Sequence, residues 1–178
     1  MENLAEKSGG KWKGTFIVEC YRKGKLIWTE TPKDGHNVFT AEGLTHMLAV
    51  TLGGKTLIDP FYAVLYEDNA PPADADTYAI PGYTECGAGV DEATREIYVD
   101  VVTSKSCTNA ASKASYTFNA AKTIYGAALV GGSSTKADVT DAATHVLLCG
   151  GNFTASRAVV DDDVINLTYQ VTSADDGA

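Results

Sequence analysis

The densest group of side chains that could do chemistry is Asp161-Asp162-Asp163. Carboxylate oxygens of this kind suit calcium. Three consecutive side chains cannot converge on one ion from ordinary backbone, however, and a turn ahead of a strand accounts for them as aspartates that bond nearby amides. Asp74 and Asp76 fall in another predicted loop, without the glycine and distal glutamate of a calcium-binding loop. His36, His46 and His145 stand far apart, and none belongs to an HExxH-type pattern. A triad gathered from distant residues stays open on sequence alone, although no serine or cysteine has the setting of a nucleophile elbow. Cys20, Cys86, Cys107 and Cys149 include no CxxC pair, so they read as scattered, mostly buried thiols and not as zinc ligands or a disulfide framework. Gly54-Lys55-Thr56 imitates the end of a phosphate-binding loop, but Ala49 stands where the first glycine belongs and a predicted helix precedes it. Gly87 and Gly89 begin a dinucleotide fingerprint that fails at Glu92. Catalytic residues, a cofactor and a metal site are therefore all expected to be absent, with a cation at Asp161 to Asp163 left open.

The elements that would position any site are mainly strands. Trp12, Gly14, Phe16, Val18 and Cys20 alternate with Lys13, Thr15, Ile17 and Glu19, the period of a half-buried strand. The turn Tyr21 to Lys25 leads into Leu26 to Glu30, a predicted hairpin. One helix is predicted near residues 40–52: Thr40 is an N-cap type, Glu42 favours the positive end of the helix dipole, Leu44, Met47, Leu48 and Thr51 form a stripe, and Gly53-Gly54 ends it. Phe61 to Tyr66 has apolar residues on both sides, as a strand covered on both faces requires, and Ala70-Pro71-Pro72-Ala73 breaks it. A long excursion follows through Tyr83 and Gly89. Arg95 to Thr103 then reads as a strand with Ile97, Val99 and Val101 on one side, and Ala114 to Val130 as a second hairpin. His145 to Cys149 reads as a short apolar strand. Ile165, Leu167, Tyr169 and Val171 complete the last one. Roughly eight short strands and a single helix predict an antiparallel β-sandwich, jelly-roll-like, because a parallel sheet would need crossover helices. The domain is expected to span 12–172, between a polar N-terminal arm, 1–11, and a polar tail, 173–178.

Composition narrows the function classes. At 178 residues and 44% hydrophobic content, the chain can bury one ordinary core. Fourteen basic against twenty-three acidic residues give a net charge of −9, which repels a phosphate backbone. Lys7, Lys11, Lys13, Arg22, Lys23 and Lys25 cluster locally, with only Trp12 and Tyr21 as aromatic neighbours, and read as a solvated arm and turn. No run approaches ~20 apolar residues, and Met1 to Lys11 lacks the apolar core of an export signal. Folding in a cytoplasm is the expectation. The acceptor patterns at Asn152 and Asn166 then have no consequence.

Trp12 to Cys20, Gly24-Lys25-Leu26-Ile27-Trp28, His36 to Leu44 and Phe61 to Tyr66, taken in order, resemble a family of small structural proteins of tailed bacteriophages. The similarity continues through Tyr78 to Glu85, Phe118 to Val130 and Val159 to Val171. What the resemblance implies is a virion protein without catalysis: a capsid decoration or cement protein on the outer shell that bridges major capsid subunits. A homo-oligomer, a trimer, is expected, together with assembly in the host cytoplasm and neither a nucleic-acid nor a membrane partner. Lys7, Lys11 and Trp12 of the arm are the candidate partner-binding residues. Three rivals follow from the residues: a tail or head-to-tail connector protein, a carbohydrate-binding module stacking sugars on Trp12, Trp28, Tyr78 and Tyr83, and a hydrolase with a dispersed site.

Overall fold

The computed structural model describes residues 10–35 and 37–175. The alternating run at the start of the chain becomes β1 (Gly10–Arg22), which turns back as β2 (Lys25–Glu30). The loop is only Lys23-Gly24, both with positive φ, as a tight hairpin between right-twisted strands requires. β3 (Val38–Phe39) and α1 (Ala41–Thr51) follow, then β4 (Phe61–Tyr66), β5 (Glu96–Ile97), β6 (Val101–Thr103) and β7 (Ser106–Thr108). β8 (Ala114–Thr117), β9 (Lys122–Gly131), β10 (Val146–Val159) and β11 (Asp163–Asp175) complete the chain.

These strands form two antiparallel sheets, an antiparallel β-sandwich with one short helix. The first sheet runs β2-β1-β11-β7-β6, with β8 also paired to β11, and the second runs β3-β10-β9-β4-β5. Phe16, Val18, Ile165, Leu167 and Tyr169 of the first sheet meet Ala63, Leu65, Ala127 and Leu129 of the second in the core between them. β4 is buried on both sides, as its sequence predicts. Ala63 and Leu65 face the interior, while Tyr62, Val64 and Tyr66 join Tyr78 and Tyr83 in a second apolar layer outside the second sheet. Glycine at 126 makes room there, because a Cβ would overlap the Tyr66 hydroxyl.

Four expectations are corrected. Ala114 to Val130 is not a hairpin: β8 pairs with β11, whereas β9 pairs with β10 and β4. Alternation reveals a strand but not the sheet it joins. Arg95 to Thr103 is not one strand, since β5 belongs to the second sheet and β6 to the first. Its buried residues are Arg95 and Tyr98, leaving Ile97, Val99 and Val101 about half exposed. His145 to Cys149 is only the start of β10, which continues through Gly150, Gly151 and a bulge to Val159. In α1, Met47 of the stripe packs on the core but Leu48 is 61% exposed, and the closest approach is at Gly43, where a Cβ would strike the Leu148 carbonyl. The cap does form as expected, with Thr40 Oγ1 accepting from the Gly43 N–H at 2.9 Å.

Candidate interaction surface

Lys11 and Trp12, two of the three candidate partner-binding residues, lie in β1 and not in a free arm. They stand opposite Ala174 and Ser173 of β11, so the paired sheet reaches beyond both expected domain boundaries. Lys7, like His36, lies outside the described residues. Trp12 is 48% exposed and forms part of the wall of an apolar cavity of about 280 Å³ that opens between the two sheets. Met47 and Val50 of α1, Leu57, Phe61 and Tyr98 line it as well. An exposed tryptophan beside an apolar recess is the composition of an interface anchor.

Two side chains at the same cavity, His46 and Cys107, are biased toward their neutral forms. His46 packs against Phe61, and its Nε2 is buried without a hydrogen-bond partner. Burial, helped by the charge of Lys55, pushes its pKa down. Cys107 Sγ lies 3.6 Å from both the Tyr98 hydroxyl and Asp100 Oδ2. Burial raises its pKa too, against the hydrogen bond from Tyr98. The other thiols are pushed further, Cys20 and Cys86 to about 11 and Cys149 to about 12. All four are weak nucleophiles at neutral pH. His145, just before β10, lies over Tyr78 and places Nδ1 2.8 Å from the Thr140 carbonyl oxygen, and it lines a second, neighbouring cavity together with His46.

The aspartate cluster divides. Asp161 and Asp162 are exposed in the turn between β10 and β11, with Asp162 at positive φ. Asp163 is fully buried and binds Arg22 with two hydrogen bonds, Nε to Oδ1 at 2.7 Å and Nη2 to Oδ2 at 2.8 Å. The Arg22 hydrogen bonds hold its carboxyl below the usual range. Among the described residues, no group of three potential metal ligands comes together.

Sequence reasoning missed the most connected polar site. Arg95 is 4% exposed and lies in the second apolar layer. Its Nη2 donates to Glu85 Oε2 at 2.6 Å and to the Asp138 carbonyl at 3.1 Å. Its Nη1 donates to the Tyr78 hydroxyl at 2.5 Å and to the Ser133 carbonyl at 2.9 Å. Burial disfavours the guanidinium charge, but Glu85 outweighs it and the pKa ends above its ordinary value. The irregular excursion from Glu67 to Arg95 is thereby fastened to the loop between β9 and β10. Glu42 adds a second clasp, accepting from the N–H groups of Tyr78 at 2.8 Å and Leu147 at 2.7 Å. The sequence carries no signal for it, since Arg95 stands in the polar run Asp91 to Glu96 and its partners come from the excursion and from the loop between β9 and β10.

This layer removes aromatic platforms from the surface. Tyr78 and Tyr83 are buried, and Trp28 packs on Phe153, leaving Trp12 as the one exposed side chain of the four weighed for sugar stacking. Among the described residues, no helix is long and apolar enough to cross a membrane. Comparison with family models, with curated proteins and with solved structures finds no match for this chain.

Proposed function

We propose that the chain is a structural protein of a bacteriophage particle that acts by binding other proteins, as a capsid decoration subunit docking on the outer shell and bridging major capsid subunits. The observation that carries this reading is Trp12, half exposed at the end of a stiff sandwich and beside an apolar recess. Central aromatic anchors of this kind dominate specific protein interfaces. A net charge of −9 supports it further, because an acidic subunit avoids the packaged genome and seeks protein surfaces. The resemblance of the sequence to tailed-phage structural proteins supplies the particle. Repetition over a symmetric shell would make modest individual contacts sufficient through avidity.

Gold-labelled protein in negative-stain images of the phage tests the reading, and label over the head is expected. Label confined to the tail would move the chain to the tail or connector. Trp12→Ala is expected to weaken binding to isolated heads by about tenfold or more. Unchanged binding would remove Trp12 as the anchor.

A further inference from the structure

The molecule carries two unlike edges. From residue 11 to residue 33 the chain has six basic residues and two acidic ones, whereas from 34 to 178 it has seven basic and nineteen acidic. The basic stretch forms β1 and β2, and β2 is the terminal strand of the first sheet. Its outer edge presents exposed Lys23, Lys25, Leu26 and Ile27. At the opposite end of the same sheet lies β6, also terminal, preceded by β5 at the end of the second sheet. That side presents Ile97, Val99, Val101 and Val102, with Glu96 and Asp100 among them. Among the described residues, none of Lys23, Lys25, Glu96 and Asp100 is held in an ion pair.

Resting on the reading of the chain as a lattice-forming subunit, we infer that the β2 edge of one copy docks on the β5–β6 edge of the next, a head-to-tail self-association. β2 and β6 each end the first sheet, so one side of each lacks a strand partner; both edges carry exposed apolar side chains, with unpaired charge that is basic at Lys23 and Lys25 and acidic at Glu96 and Asp100, offset only in part by Lys105 in the turn after β6. Pairing β2 with β2 would set Lys23 and Lys25 against their own copies, and pairing the other edge with itself would oppose Glu96 and Asp100. Like charges across strands repel. Only the unlike edges match in charge while burying apolar surface on both sides. Because the two surfaces differ and lie on opposite sides of the molecule, the contact is heterologous and propagates to a ring or a chain of copies.

Sedimentation of the purified chain alone tests this. Association is expected at low ionic strength and dissociation as salt rises from ~20 mM to ~500 mM. Lys23→Glu with Lys25→Glu should leave only monomer, and so should Glu96→Lys with Asp100→Lys. Mixing the two variants should restore association, since each retains the edge that the other lacks. Circular dichroism verifies that both remain folded, and Val102→Lys, at a side chain 68% exposed, disrupts the same contact through its apolar part. A monomeric wild-type chain, association untouched by the variants, or a mixture that stays monomeric would each overturn the inference. Self-association with no binding to phage heads would sink the decoration reading alone, and binding by a monomer would sink this inference alone.

Discussion

The two faces of the second sheet are held by different physics. Toward the first sheet, Ala63, Leu65, Ala127 and Leu129 pack against Phe16, Leu167 and Tyr169, and burial of apolar surface supplies the cohesion. Toward solvent, tyrosines are covered by irregular chain, which stays in place because Arg95 and Glu42 satisfy its backbone groups. Strand on strand is cooperative over its whole length. A covering loop is anchored at a few points and opens where they fail.

The largest effect expected on that contrast comes from Phe16→Ala. It removes a ring packed on Phe153 and Tyr169 and should cost about 3–5 kcal/mol in denaturant unfolding, with exchange protection falling in both sheets. Arg95→Met should cost about 3 kcal/mol by stranding the Glu85 carboxylate, with faster hydrogen exchange confined to the excursion and the loop before β10. Adding Glu85→Leu should recover most of that loss. If the double variant is no more stable than Arg95→Met, the layer depends on more than this pair. Gly126→Ala should cost about 1–3 kcal/mol by overlapping both the Tyr66 hydroxyl and the Gly151 carbonyl of β10, measured by thermal melting.

The smallest effect is one of pH. Arg22 holds the Asp163 carboxyl below the ordinary aspartate value, so this group binds its proton less readily folded than unfolded. Its contribution to stability is present above the unfolded value and is lost as pH falls through the lower, folded one. Asp163→Asn should flatten the acid limb of the stability profile below about pH 4, and an unaltered limb would show that other carboxylates set it.

Residues whose burial follows from local period were legible in the sequence. β1 and β11 follow from alternation, β4 from its continuous apolar run, and Thr40 announced the helix. Of the helix stripe, Met47 packs on the core but Leu48 does not, because α1 approaches β10 through the missing side chain of Gly43, and no hydrophobicity pattern registers a gap. Arg95 to Thr103 was misread because the chain changes sheets between Ile97 and Val101, a tertiary event that period two does not encode. At the candidate surface, alternation placed Trp12 at the start of the strand but left Lys11 in the arm, since the polar residues before Trp12 hide the pairing of Gly10 and Lys11 with β11. Asp163 was seen as a turn residue, and its partner Arg22 is far away along the chain.

β1 lies against β11 along its entire length, from Gly10 opposite Asp175 to Arg22 opposite Asp163. β1 therefore waits for β11 before it has a partner on that side. During synthesis the hairpin of β1 and β2 has no sheet to join, and the first sheet can close only after β11 has left the ribosome. Chains cut short before β11 cannot complete that sheet, so truncation inside the sandwich leaves the edge of β1 open to pairing with other chains.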